Sequence, residues 1–242
     1  MYVGPMSAVQ SPDDFADTDA ALAVNISHKN KTFCELTALH QITQRHAQNL
    51  ETVVGLVHYR RRFINGPAWI RKIIRTTQKF SWSRGFSNAL LNRFELSQHS
   101  AHQLLESCDV ILPSTTHLKK NIRESYIDAH IPEDWAKLKQ IIHTDFADYA
   151  SAFDQFERSH TIHLYNMFVA RSSFLQGYAK WLFAVMEKLE MNIDPQGRDP
   201  FQARVFGFLS ERLFNVYLLK HSDLKNRHMP VVQLYNESVI RH

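Results

Sequence analysis

Three short apolar runs decide what this chain can fold into: TVVGLVHY at 52–59, CDVILP at 108–113 and HLYNMFVA at 163–170. The first is β-branched and apolar throughout, without the polar alternation of a half-exposed strand. It reads as a central strand covered on both faces. The second is a buried strand stopped by Pro113, and the third is a further strand. Between and after them lie longer segments with helical spacing. Thr32 and Glu35 form a capping-box signature ahead of Leu36, Leu39 and Ile42, predicting a helix over 33–47. A short helix is expected at 98–107. Pro132 and two acids open a helix that carries Trp135, Leu138, Ile141 and Ile142 on one face. After the third run, Phe174, Tyr178, Trp181, Leu182, Val185 and Leu189 form one helical stripe. Asp199, with Pro200 behind it, caps a last helix that is apolar around most of its surface and so should be deeply buried. MPVVQL, 229–234, reads as a last strand.

Strands alternating with helices predict an α/β fold: a mostly parallel central sheet flanked by helices, whose ligands bind beyond the carboxyl ends of the strands. At 242 residues one domain over 1–242 suffices, with a loop-like start over 1–24 and a basic insertion over 64–96. No acid occurs between Glu51 and Glu95, while Arg71, Lys72, Arg75, Lys79, Arg84 and Arg93 fall between them.

Composition narrows the function. Hydrophobic residues at 44% and charged ones at 21% describe a packed protein and exclude a disordered one. Twenty-eight Lys and Arg against 24 Asp and Glu give a formal net charge of +4. A dedicated nucleic-acid binder would show a denser basic stripe, so the balance fits an anionic small ligand or an acidic membrane surface instead. Cys34 and Cys108 sit in apolar contexts and read as reduced core residues. With no secretory signal and no apolar run of membrane-spanning length, the cytoplasm is the expected compartment.

The central strand ends in His58, Tyr59, Arg60, Arg61 and Arg62, charge placed where open α/β folds keep their sites. Arginines there could hold a diphosphate by bidentate charge-assisted bonds; a solvated basic turn is the alternative. Alternation would aim His58, Arg60 and Arg62 one way and Tyr59 and Arg61 the other. Asn25, Ser27, Lys29 and Asn30 lie just before a helix start, where amides, hydroxyls and a lysine can meet an anion or a sugar, or else serve as ordinary caps. Asn166 interrupts an apolar strand, and a buried amide needs partners or a ligand. Asp199, Gln202, Arg204, Ser210, Glu211 and Arg212 are polar groups on the apolar last helix; Arg204 and Glu211, two turns apart, share a face. His99 with His102, and His160 with His163, lack a third ligand, and no metal site is expected. The acidic cluster that holds magnesium or manganese in nucleotide-sugar enzymes is missing after the central strand. There is no P-loop, GxGxxG or GxSxG.

NISHKN, FCELTAL, VGLVHYRRRF, CDVILP, YNMFVARSSFLQGYAKWLF and DPFQARVFGFLSERLFNVYL, in that order over about 25–234, together resemble one bacterial family. It is the family of capsule, exopolysaccharide and O-antigen glycosyltransferase domains long known as a domain of unknown function. The resemblance implies a GT-A-like, Rossmann-related fold and transfer of a hexose, with galactose from UDP-galactose known in the family, to a lipid-linked surface-polysaccharide precursor. It implies that Asn25, Ser27, Lys29, Asn30 and Glu35 form the first site loop and helix, and that His58, Tyr59, Arg60 and Arg61 bind the donor diphosphate. Asn166, Gln202 and Arg204 would face sugar or acceptor, with Asp199 or Glu211 as the catalytic carboxylate. Arginines in place of the acidic cluster would neutralise the leaving UDP without a divalent ion. The partners implied are a nucleotide sugar, a lipid-linked glycan and, through the basic island, the anionic inner face of the plasma membrane, with no nucleic acid. Two departures stand out: GDNIS of the family is here AVNIS, and the family's opening strand, ending in His-Lys, would lie before residue 1. A degenerate, non-catalytic accessory module of a polysaccharide assembly complex is therefore the alternative reading.

Overall fold

The structure, a computed structural model, describes residues 2–3, 25–58, 61–67, 69 and 93–233. Its centre is a five-stranded sheet built from β1 (Tyr2–Val3), β2 (Val53–His58), β4 (Val110–Pro113), β7 (Phe168–Arg171) and β8 (Asn226–Met229). The order across it is β1-β2-β7-β4-β8. β1 runs parallel to β2 and β8 parallel to β4, while β7 is antiparallel to both β2 and β4. Four strands therefore point one way and β7 the other, the mostly parallel sheet that the strand–helix alternation predicts. The start of β7 lies at the carboxyl edge, Phe168 standing opposite Leu56 near the end of β2.

Period-two packing explains why the three apolar runs are strands. Val54 and Leu56, Val110 and Leu112, and Phe168 and Ala170 face the larger core, while Ile111, Met167 and Val169 face a smaller one with Phe63, Ala101 and Leu105. The larger core is closed by helices α2 (Leu36–Arg45), α5 (Pro132–Asp145), α6 (Ala150–Arg158), α7 (Ser172–Asn192) and α8 (Val205–Lys220). α3 (Gln98–Leu104) covers the other face, and α4 (Ile122–Ala129) precedes α5. α8 is the buried helix its composition predicts: Leu209, Leu213, Phe214 and Val216 are sealed from solvent, and the Phe214 ring meets Tyr178 of α7 at 5.0 Å. Two small sheets complete the fold, β3 (Arg61–Phe63) with β9 (Val231–Gln233), and β5 (Thr116–His117) with β6 (Thr161–Ile162).

Local predictions differ from the structure in several places, among them the last helix, which begins at Val205 rather than behind Asp199. The start expected to be loop over 1–24 contributes a strand, since Tyr2–Val3 pairs with Val57–His58, and beyond it Ser27–Lys29 form a turn of 3-10 helix. The helix expected over 33–47 is two helices, α1 (Asn30–Phe33) and α2, broken at Cys34, whose φ of 52° no helix accommodates. The Thr32 hydroxyl bonds back to the Lys29 carbonyl. The run 163–170 is not one strand: Tyr165 and Asn166 adopt positive φ and separate β6 from β7. Pro230, unable to donate, separates β8 from β9 within the expected 229–234 strand. Most of the basic segment 64–96 lies outside the described residues; within them Ile64 bridges Glu95. Both cysteines are free. Among the described residues no helix is long and apolar enough to cross a membrane.

Candidate active site

Everything distinctive gathers at the carboxyl edge of the sheet, around the turn that precedes β7. Tyr165 and Asn166 stand there in consecutive left-handed conformations, with φ of 79° and 53°. Such backbone costs of order 1–3 kcal/mol per residue and persists only where surrounding contacts impose it. α8 imposes it. The Glu211 carboxylate accepts the Tyr165 amide at 2.6 Å, and Asn166 Nδ2 donates to the Ser210 hydroxyl at 3.2 Å. Asn215 brackets His163, accepting from its N–H at 2.8 Å and donating to its carbonyl at 3.0 Å. The Asn166 side chain is fully buried; it also hydrogen-bonds Glu35, and Tyr178 Oη reaches its Oδ1 at 3.4 Å.

Glu35 arrives from the joint between α1 and α2. The break at Cys34 makes that placement possible, and it needs Gly207 on α8, since a Cβ there would meet Cys34 Sγ at 2.9 Å. Partly buried and facing Glu211, Glu35 has its carboxyl raised from 4.5 to about 7. Burial is the main cause and the Glu211 charge adds to it, while its own backbone amide, Arg204 and the Asn166 amide act in the other direction. Both Glu211 oxygens are engaged, Oε1 by Tyr165 and Oε2 by Arg212 at 2.7 Å. Arg204 donates from Nε to Cys34 Sγ at 3.2 Å.

From the strand side, His58 Nε2 donates to the Tyr165 carbonyl at 2.5 Å; burial first, then Arg61 and Arg204, lower its pKa, while the bond to Tyr165 and the Glu211 charge act in the other direction. The Arg61 guanidinium lies over the Tyr165 ring, 4.0 Å from its centre. His58 and Arg61 thus converge on one residue, contrary to the alternation argued from the sequence. β2 ends at His58 and β3 begins at Arg61 with a different partner strand, so alternation does not carry across the junction. Arg62 pairs with Glu95 at 2.8 Å. A cavity of about 250 Å³ opens beside Arg61 and Arg62, lined also by Val57 and Ser97.

The structure therefore brings together Glu35, His58, Arg61, Asn166, Arg204 and Glu211 of the predicted site residues. Others sit in different surroundings. Lys29 forms an ion pair with Glu190 of α7 at 2.7 Å, Asn30 Nδ2 donates to Thr37 Oγ1, and Asn25 is exposed. Ser27 Oγ is buried with no hydrogen-bond partner among the described residues. Asp199 is exposed and does not cap the last helix, which starts at Val205; its Oδ1 accepts from the amides of Phe201 and Gln202 at 2.9 and 3.1 Å. Gln202 holds the Ala129 carbonyl at 2.9 Å. Tyr59 and Arg60 lie outside the described residues. Sequence reasoning missed Tyr165, although a Tyr-Asn pair inside an apolar run is a signal, since Asn is enriched at positive φ. Among the described residues no three His, Cys, Asp or Glu side chains are grouped to hold a metal.

The apo structure of the WbbM bifunctional glycosyltransferase is similar to this chain, with a TM-score of 0.74 and 25% identity, covering 89% of this chain. This chain spans only 39% of the length of that one. The α/β fold is accordingly GT-A-like. No curated protein matches the chain. The model of DUF4422, described as a domain of unknown function, matches residues 1–222, and the chain belongs to that family.

Proposed function

We propose that this domain is a hexosyltransferase that moves a hexose, galactose first among candidates, from a UDP-sugar to a lipid-linked surface-polysaccharide precursor. One observation carries the reading: Glu35, bonded to the buried Asn166 amide, and Glu211, which accepts the Tyr165 N–H, stand with Arg61 and Arg204 at the carboxyl edge of a GT-A-like sheet. Similarity to a protein named as a bifunctional glycosyltransferase supports the reaction class.

In this mechanism an acceptor hydroxyl attacks the anomeric carbon of the donor. The bond from that carbon to the diphosphate oxygen breaks, and UDP leaves with the electron pair. Glu35 takes the hydroxyl proton, a task suited to a carboxyl whose pKa is near neutrality. Glu211 positions, because both its oxygens already hold Tyr165 and Arg212. Asp199, exposed and engaged by the amides of Phe201 and Gln202, is left a structural part in this scheme. Arg60 and Arg61 neutralise the departing diphosphate, a role elsewhere filled by a divalent ion. The acceptor is met at the inner membrane face, where the basic segment 64–96 suits anionic headgroups.

The test is calorimetry with UDP and UDP-galactose, followed by transfer to a lipid-linked acceptor with and without EDTA. Binding of both nucleotides and EDTA-resistant transfer are expected. Failure to bind either one would point to a non-catalytic accessory module, and activity lost to EDTA and restored by manganese would overturn the arginine assignment.

A further inference from the structure

Beside the carboxyl cluster lies a ledge of three aromatic rings. Phe201 is 50% exposed, a large apolar side chain turned to solvent just before the 3-10 turn Gln202–Arg204 that leads into α8. It stacks on His130 with centroids 5.5 Å apart and planes at 18°, and Phe208 closes the triangle, 4.1 Å from His130 and 5.0 Å from Phe201. The ledge is fixed from behind, since Gln202 donates to the Ala129 carbonyl and its side chain also hydrogen-bonds His130. It is continuous with the site: the Arg204 guanidinium lies 5.4 Å from the centre of the Phe208 ring, and Arg212, the partner of Glu211, lies over Tyr126, which packs on His130 at 4.7 Å.

Two further features mark a surface made for a polyhydroxylated ring. Burial, then the Arg212 charge, push His130 down to about 4, so at neutral pH the imidazole is an uncharged plate like its neighbours. Around it His130 Nδ1, Arg212 Nε and Tyr126 Oη are buried without a hydrogen-bond partner among the described residues. A pyranose has an apolar face of axial C–H groups and a rim of hydroxyls. The face packs on aromatic rings, and the rim needs donors and acceptors of the kind Gln202 and Arg204 supply.

We propose that Phe201, His130 and Phe208 form a subsite on which a pyranose of the glycan acceptor stacks, next to Glu35 and Glu211. The word acceptor rests on the transferase reading above; the stacking of a sugar does not. In a Michaelis complex the ledge would hold the terminal sugar so that its hydroxyl faces the carboxyl cluster.

Saturation-transfer NMR with methyl β-galactopyranoside and methyl β-glucopyranoside tests the ledge, run on the wild-type protein, Phe201→Ala and Phe201→Trp. Ring C–H protons of at least one glycoside should saturate on the wild type, with affinity falling about tenfold in Phe201→Ala and retained in Phe201→Trp. Because Phe201 is half exposed, Phe201→Ala should keep its melting temperature, and UDP affinity by calorimetry should stay within about twofold in the same variant. No saturation on the wild type, or undiminished saturation on Phe201→Ala, overturns the proposal. An equal loss of UDP affinity also overturns it, by assigning the ledge to the nucleotide. A wild-type protein that stacks glycosides but binds no nucleotide sinks the transferase reading while the sugar subsite stands.

Discussion

The Glu211 carboxylate accepts the backbone N–H of Tyr165 at 2.6 Å, and through that bond α8 holds a left-handed turn at the carboxyl edge of the sheet. The turn sets the direction of the Tyr165 ring under Arg61, the Tyr165 carbonyl at His58 and the Asn166 amide at Glu35. A single carboxylate thus organises groups from four segments of the chain.

Glu211→Ala removes the acceptor of the Tyr165 amide and leaves the Arg212 guanidinium, whose side chain is only 14% exposed, with the Phe208 carbonyl but no carboxylate. Unfolding in urea should show a loss of about 1–3 kcal/mol. Transfer should fall by at least about a hundredfold, because the turn that carries Asn166 loses its hold. Wild-type turnover in a folded Glu211→Ala protein would refute the positioning role.

Glu35 links pH to both stability and activity. Its carboxyl is raised from 4.5 to about 7 in the fold, so its contribution is fully present below pH 4.5 and is lost as pH rises through about 7. Between those values the unfolded chain ionises this group first, and folding becomes less favourable by roughly 2–3 kcal/mol. Glu35→Gln cannot ionise and should gain stability relative to the wild type across that window, read as melting temperature against pH. As the proton acceptor, Glu35 should also make wild-type transfer rise with pH through about 7. Glu35→Gln should lose about 10²–10⁴-fold in rate together with that rise.

Arg61 is held by its cation–π contact with Tyr165, and its Nε is buried with no partner among the described residues. Arg61→Ala should weaken UDP binding about tenfold or more in calorimetry while leaving uridine binding nearly unchanged, since only the diphosphate calls on the guanidinium. Equal losses for UDP and uridine would place Arg61 away from the phosphates.

Gly207 and Cys34 form a steric pair. Gly207→Ala drives a Cβ to 2.9 Å from Cys34 Sγ and 3.1 Å from its Cβ, and the resulting shift should destabilise the protein by about 1–3 kcal/mol. Cys34→Gly removes both atoms and relieves the positive φ, so it should recover a substantial part of that loss in the double variant. Additive losses in the double-mutant cycle would show that the two sites are not in contact.

Much of the fold is legible in the sequence because burial imposes periodicity on the residues that experience it. Val54, Leu56, Val110, Leu112, Phe168 and Ala170 are apolar because both faces of their strands are covered, and α8 is apolar all round because neighbours surround it. The breaks were less legible. Cys34 and Tyr165 occupy left-handed backbone that their residue types do not favour, and only Asn166, a residue type enriched there, hints locally at the turn. Gly207, Glu211 and Ser210, far along the chain, make those conformations stable.

The site divides in the same way. Residue types and order alone marked His58, Arg61, Asn166, Arg204 and Glu211, because charge and amides in apolar runs need a reason. The tertiary structure decided the rest: Lys29 went to Glu190 and Asp199 to the amides of Phe201 and Gln202, while Glu35 was placed within the electrostatic reach of Glu211. The physical reason is that a pKa, an ion pair or a strained turn belongs to an arrangement of groups in space. Hydrophobic pattern specifies which faces meet, and only the packed fold fixes which charges then stand beside one another.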